Sequence, residues 1–107
     1  MAARNMNYEQ FDKAVLEDKP LLVDYWAPWC GYCRRIGPAY DALAKEYEGQ
    51  VDLVKINIDE EPDLARQEQI EVIPTLVLYR GGEALGSIVA PGSKAMIDEF
   101  IRNTLSK

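Results

Sequence analysis

Residues 21–33 read LLVDYWAPWCGYC, and this segment combines the patterns of a strand, a turn and the start of a helix. Its first six residues form an almost continuous apolar run, which is typical of a β-strand covered on both faces. The Pro-Trp-Cys-Gly sequence then indicates a turn, and a helical periodicity of apolar residues follows at positions 32–47. The two cysteines, Cys30 and Cys33, therefore lie where a buried strand passes through a turn into a helix.

Segments on both sides of this stretch alternate between helical and extended patterns. Asn7 and Gln10 match a capping box, which predicts a first helix that ends at Pro20. The apolar positions of this helix are Phe11, Ala14, Val15 and Leu16. Further along, β-branched residues at 51–58 predict a second buried strand, and Pro62 begins a short acidic helix.

The end of the chain predicts a hairpin and a final helix. Residues 75–79 and 84–90 match two strands joined by a Gly-Gly turn. Ser93 is the expected cap of the helix that follows. The predicted buried stripe of this helix is Met96, Ile97, Phe100, Ile101 and Leu105.

This order of elements predicts an α/β fold with a mixed central β-sheet of four to five strands flanked by helices on both faces. A helical crossover joins the first two strands, so they should be parallel, whereas the terminal hairpin should be antiparallel. With 107 residues, the chain fits a single domain over positions 1–107.

The chain has two cysteines and no histidine, and these two numbers exclude several classes of catalytic and metal site. The lack of histidine excludes Ser-His and Cys-His nucleophilic dyads, histidine-ligated metals and imidazole acid–base catalysis. Two cysteines are too few for a four-cysteine zinc site or a scaffold with several disulfides. The remaining candidates are carboxylates, amines and the two thiols.

Charge and hydropathy point away from nucleic acid and membrane. The net charge is −6, from 18 acidic and 12 basic residues, and the basic residues are scattered. No apolar run approaches the ~18–20 residues of a membrane span. Residues 1–10 also lack the apolar segment of a secretory signal, so a cytoplasmic location is expected.

The spacing Cys-x-x-Cys at the start of a helix suggests redox chemistry. Cysteines three residues apart on a first helical turn bring their sulfur atoms within disulfide range. The positive end of the helix dipole favours a thiolate and lowers the pKa of Cys30, while Cys33 should be more buried. The pattern thus predicts an exposed attacking thiol and a shielded resolving thiol.

Two other interpretations of the Cys-x-x-Cys pattern remain open. The same spacing forms half of a zinc or iron–sulfur site, which in this chain would need a dimer or carboxylate ligands. A purely structural disulfide is a poor explanation, because it would close a very short loop and contribute little stability.

The motif and several further segments together resemble the thioredoxin family. The similar segments are LLVDYWAPWCGYC, Pro38 in the following helix, VKINIDEEP, VIPTLVLYRGGE and SKAMIDEFI, and they extend from about Tyr8 to Leu105. The resemblance implies the thioredoxin fold and a dithiol that reduces protein disulfides and is recycled by a thioredoxin reductase. It also implies a monomer that needs no cofactor or metal.

Asp24 and Lys55 stand out as charged residues inside apolar strands. On pattern alone, Asp24 is best explained as a structural polar residue. An outward-facing position for Lys55 is as well supported as a position near Asp24. The resemblance implies instead that Asp24 is buried and accepts the proton of Cys33, with Lys55 close to it. Burial should raise the pKa of Asp24.

The resemblance also implies a substrate-binding surface around the cysteines. It makes the Ile73–Pro74 peptide bond cis, and the backbone of Ile73 would pair with an extended substrate chain. Trp29, in the turn, is expected on the contact rim, and Gly31 within the motif belongs to the same surface.

The sequence departs from the family pattern in three places. Tyr32 replaces the usual proline between the cysteines, which predicts a less reducing potential because it loosens the helix start, and its ring is a candidate for stacking on a partner. Residues 1–6 lack the pattern of the family's first strand, so this edge strand should be short or missing. Ala90 replaces a usual glycine, so either Gly92 takes over its role or the groove is tighter.

Other functions fit the same fold. The chain would be a binding or scaffold subunit if its redox chemistry were incidental, although such proteins often lack one of the two cysteines. A glutaredoxin-like use of glutathione is less well supported without a C-P-Y-C motif, as is oxidase or isomerase activity without a signal sequence.

Overall fold

The computed structural model describes residues 3–107, which form five strands and four helices. In chain order they are β1 (Arg4–Asn5), α1 (Tyr8–Ala14), β2 (Leu21–Trp26), α2 (Gly31–Glu46), β3 (Asp52–Asn57), α3 (Pro62–Gln67), β4 (Thr75–Arg80), β5 (Glu83–Val89) and α4 (Lys94–Leu105). The strands form one sheet in the order β1-β3-β2-β4-β5. The predicted α/β class with a mixed sheet is confirmed. None of the helices in the described range is long and apolar enough to cross a membrane.

The stretch at residues 21–33 lies at the centre of this sheet. Strand β2 pairs in parallel with β3 and antiparallel with β4, while β4 and β5 form the predicted antiparallel hairpin. Because β2 has a neighbouring strand on each side and helices over both faces, its residues 21–25 are all buried. This central position explains the continuous apolar run and places the cysteines at the carboxyl end of the middle strand.

Alternation along β2 and β3 sorts their side chains onto two faces of the sheet. Val23 packs in one core cluster, and Leu22 packs in the other, beneath α2 and α4. Successive residues of a strand point to opposite faces, so Asp24 lies on the same face as Leu22. Lys55 is the register partner of Asp24 on β3 and shares this face with Leu53.

Local capping signals predicted two helix starts correctly. Asn7 and Gln10 form the capping box of α1, with the Asn7 side chain accepting from the Gln10 N–H group at 2.8 Å. Ser93 caps α4 by accepting from the N–H group of Met96 at 3.1 Å. Both caps use side chains within three residues, which is why sequence pattern alone located them.

Two apolar residues of the predicted helices are exposed. Leu16 was predicted to lie on the first helix, but α1 ends at Ala14, and Leu16 is 70% exposed. Met96 was predicted to lie in the buried stripe of the last helix, but it is 49% exposed because the buried side of α4 runs through Ile97 and Ile101. The extent of the first helix and the burial of Met96 were wrongly predicted.

The amino-terminal edge strand is short, as predicted. Strand β1 has two residues, which pair in parallel with Val54 and Lys55 of β3. Arg4 also binds Asp52 through two hydrogen bonds of 2.9 and 3.0 Å. Met1 and Ala2, the other part of that prediction, lie outside the described residues.

Candidate active site

Cys30 and Cys33 are joined by a disulfide at the amino-terminal end of α2. Cys30 is the N-cap residue, and its Sγ atom accepts from the Cys33 N–H group at 3.2 Å. This N–H group and the helix dipole stabilise negative charge on Cys30 once the disulfide is reduced. The structure therefore contains the oxidised state of the predicted dithiol.

The expected contrast in exposure between the two cysteines is small in this state. Cys30 is 8% exposed and Cys33 is 4% exposed. Cys30 precedes the first helical turn, where it packs with Cys33 and Ala27 against the side chain of Ile73. The description of Cys30 as exposed was therefore wrong for the oxidised protein.

Two loops from other parts of the chain border the disulfide. The Ile73–Pro74 peptide bond is cis, as expected, and the carbonyl oxygen of Ile73 lies 4.0 Å from the Cys30 Sγ atom. The N–H group of Ala90 donates to the carbonyl of Pro74 at 2.9 Å. The redox motif, the Ile73–Pro74 segment and the loop after β5 thus meet at one place.

Asp24 is buried in the central strand, on the side of the sheet that α2 covers. It is 1% exposed, and its Oδ1 atom has no hydrogen-bond partner among residues 3–107. Burial raises the pKa of Asp24 from 3.8 to about 7, although the positive charge of Lys55 partly opposes this rise. A carboxyl group with a pKa near neutrality is suited to accept and release a proton.

Lys55 lies beside Asp24 instead of facing outward alone. The two residues are register partners on adjacent parallel strands. The Nζ atom of Lys55 also lies 4.3 Å from the centroid of the Trp26 ring, in a cation–π contact. Trp26 in turn donates from its Nε1 atom to the Asn5 side chain at 3.1 Å, so these contacts fix the position of the lysine.

Trp29 lies at the surface next to the motif, as predicted. It is 66% exposed, and its Nε1 atom donates to the Asp59 carboxylate at 3.0 Å. Val72 and Val89, each 53% exposed, adjoin Ile73 and Ala90. These two valines were not among the predicted site residues, although they lie directly beside Ile73 and Ala90 in the sequence.

Comparisons with known proteins agree with this geometry. The family model described as Thioredoxin matches residues 2–103. The chain belongs to the thioredoxin family.

Relatives of this thioredoxin family member come from several organisms. It is 40% identical to thioredoxin 1 of Nostoc sp. over 105 residues, which cover 97% of this chain and 98% of the relative. It is 43% identical to the thioredoxin of Synechocystis sp. over 96 residues, or 89% of this chain and 90% of the relative. The chloroplastic M-type thioredoxin of Spinacia oleracea is 40% identical over 104 residues, which cover 96% of this chain but 58% of that relative.

Tyr32, where thioredoxins usually have proline, contacts its own chain. Its hydroxyl group donates to the carbonyl of Pro91 at 2.8 Å, and its side chain packs against two core clusters, one of them formed by Ala27, Cys30 and Cys33. The ring is half-buried, and its stacking on a partner stays a prediction. Gly31 beside it is exposed, and an added Cβ atom there would meet nothing within 4 Å.

Ala90 keeps the backbone conformation that the family's usual glycine would favour. Its φ angle is +44°, in the left-handed region that side chains rarely adopt. Gly92 does not have a positive φ, so it does not take over this role. A Cβ atom at Gly92 would approach the Met96 sulfur to 3.1 Å, a tight contact with the end of a flexible and exposed side chain.

Proposed function

We propose that this protein is a thiol–disulfide oxidoreductase that reduces disulfides of other proteins through Cys30 and Cys33. The observation that carries this proposal is the Cys30–Cys33 disulfide at the start of α2, beside the Ile73 carbonyl. Membership of the thioredoxin family supports the same activity. The buried Asp24, on the face of the sheet beneath α2, supplies acid–base chemistry without histidine.

In the first step, the reduced Cys30 attacks as a thiolate. A new bond forms between the Cys30 Sγ atom and one substrate sulfur, the substrate disulfide breaks, and the second substrate sulfur leaves as a thiolate that takes up a proton. The N–H group of Cys33 and the helix dipole stabilise the thiolate before attack. The backbone of Ile73 is available to pair with the chain that carries the disulfide.

In the second step, Cys33 resolves the mixed disulfide. Asp24 accepts the proton of the Cys33 thiol, and the thiolate attacks the Cys30 Sγ atom, which releases the remaining substrate sulfur as a thiolate. Two electrons pass from the cysteine pair to the substrate, leaving the disulfide that the structure contains. Lys55 opposes the rise in the pKa of Asp24 and so favours the ionised, proton-accepting form.

The residues that would contact the substrate surround the disulfide, and we call them the rim. We assign to this rim the residues Trp29, Gly31, Tyr32, Ile73, Pro74, Ala90 and Gly92. Exposure of Trp29 and the central position of the Ile73 carbonyl support the assignment.

The reduction of substrate disulfides requires an electron donor and a reducing cellular compartment. A thioredoxin reductase would return two electrons and two protons to the oxidised cysteines, and the protein would act as a monomer. We favour the cytoplasm, because a dithiol that reduces disulfides works in a reducing compartment. Chloroplastic relatives make the plastid the competing location.

Insulin reduction tests the function directly. Wild type with a reductant should precipitate insulin faster than the reductant alone, whereas Cys30→Ser should match the background. Cys33→Ser should accumulate a mixed disulfide with insulin, visible on a non-reducing gel, because it attacks but cannot resolve. A wild type no faster than background would contradict the proposal and favour a scaffold role.

A further inference from the structure

Tyr32 connects the redox motif to a loop on the far side of the site. We call residues 90–92 the flanking loop. The Tyr32 hydroxyl donates to the Pro91 carbonyl at 2.8 Å, between residues 59 positions apart in sequence. Pro91 is buried and the Tyr32 ring is half-buried, so this hydrogen bond is partly shielded from water. Shielding strengthens such a bond and makes its loss more costly.

The flanking loop also supports the backbone nearest to Cys30. The Ala90 N–H group donates to the Pro74 carbonyl at 2.9 Å, and the neighbouring Ile73 carbonyl lies 4.0 Å from the Cys30 Sγ atom. The contacts therefore run in a ring from Cys30 through the Ile73–Pro74 segment to the flanking loop. Tyr32 closes this ring by returning from Pro91 to the motif.

Part of the flanking loop is exposed and has an unfavourable backbone conformation. Ala90 is exposed and has a left-handed backbone with φ +44°, which is unfavourable for a residue with a Cβ atom. Val89 before it is 53% exposed. The hydrogen bonds from Tyr32 to Pro91 and from Ala90 to Pro74 are therefore two contacts that oppose the unfavourable backbone at Ala90.

We propose that Tyr32 is a positioning residue for protein substrates, acting by holding the flanking loop against the redox motif. This inference rests on the proposed function. A disulfide within a protein arrives with a chain that must lie along the Ile73–Pro74 edge, and a loop ordered in advance reduces the entropy lost on binding. A small disulfide reaches Cys30 without such a chain and gains nothing from the ordered loop.

Tyr32→Phe tests the proposal, because it removes the hydroxyl group and keeps the ring. The reduced variant is compared with wild type on insulin and on 5,5′-dithiobis(2-nitrobenzoate), a small disulfide. We expect the ratio of the insulin rate constant to the small-disulfide rate constant to fall about three- to tenfold, the range for loss of one shielded hydrogen bond. An unchanged ratio would overturn the proposal.

Tyr47→Phe is the matched control. Tyr47 lies just beyond the other end of α2, where its hydroxyl group bonds the Asp98 carboxylate of α4. This variant loses the same hydroxyl group at the opposite end of the same helix, where it touches neither the motif nor the flanking loop. It should keep the wild-type ratio of rate constants, and an equal fall in both variants would reduce the effect to general destabilisation and overturn the proposal.

Amide hydrogen exchange measures how often the flanking loop opens and does not depend on an activity assay. In the oxidised protein, the Ala90 amide should exchange several-fold faster in Tyr32→Phe than in wild type or Tyr47→Phe, because the bond to Pro74 opens more often. Equal exchange in all three proteins would overturn the role of Tyr32. A wild type that reduces neither disulfide would instead refute the proposed function, whereas an active wild type with an unaffected Tyr32→Phe refutes only this inference.

Discussion

Replacing Asp24 with asparagine removes a carboxyl group that the fold buries in its central strand. Asp24 is 1% exposed, and burial raises its pKa from 3.8 to about 7. The unfolded chain therefore releases the proton of Asp24 at lower pH than the folded protein does. Asparagine is close to aspartate in shape but carries no titrating proton, so the stability of the Asp24→Asn variant lacks this pH dependence.

The pKa difference sets the size and direction of the effect. Below about pH 4 the carboxyl group of Asp24 is protonated in both the folded and the unfolded state, so the protein keeps the full contribution of this group to its stability. Between pH 4 and pH 7 only the folded state holds it, and the free energy of unfolding falls as pH rises. Above pH 7 the loss is complete and amounts to about 4 kcal/mol, from about three pH units at about 1.36 kcal/mol each.

Urea unfolding of the oxidised proteins measures this loss. Between pH 5 and pH 8, wild type should lose about 2–3 kcal/mol of unfolding free energy relative to Asp24→Asn. Asp59→Asn removes an exposed carboxylate and should follow the wild type at both pH values. If the difference between wild type and Asp24→Asn is the same at pH 5 and pH 8, the reasoning about burial is refuted.

The same variant tests the role of Asp24 in resolution. Wild-type insulin reduction should depend on pH around neutrality, where Asp24 changes between its protonated and ionised forms. Asp24→Asn should react more slowly and lose that component of the profile. An unchanged pH profile would show that Asp24 is not the proton acceptor for Cys33.

Two further predictions concern the positions that depart from the family pattern. Ala90→Gly should raise the free energy of unfolding by about 0.5–1 kcal/mol, because glycine adopts the φ of +44° without strain. Ala84→Gly, in the adjacent strand β5, should instead lower it by a similar amount in the same urea experiment, and a loss in both variants would contradict the argument. Tyr32→Pro should make the redox potential more negative by roughly 10–30 mV in a glutathione titration, because proline orders the first turn of α2. Tyr32→Phe, which leaves that turn intact, should keep the wild-type potential, and a Tyr32→Pro value at or above wild type would refute the prediction.

Most elements of the fold and the location of the cysteine pair could be predicted from the sequence. Helical and extended periodicities, the caps at Asn7 and Ser93 and the Gly-Gly turn are all signals between residues near in sequence. The nearly continuous apolar run at residues 21–26 predicted the central strand, because a strand that is paired on both sides and covered on both faces has such a composition. The Cys-x-x-Cys spacing located the disulfide because both sulfur atoms belong to one short segment of the sequence.

How the surrounding groups meet the disulfide depends on the folded chain as a whole. The Tyr32–Pro91 hydrogen bond joins residues 59 positions apart, and the approach of the Ile73 carbonyl to Cys30 spans 43. The resemblance implied Lys55 near Asp24, but only the register of β2 against β3 makes the two direct neighbours, and only burial raises the pKa of Asp24 to about 7. Strand register and loop packing depend on the whole core, so no local pattern in the sequence encodes them.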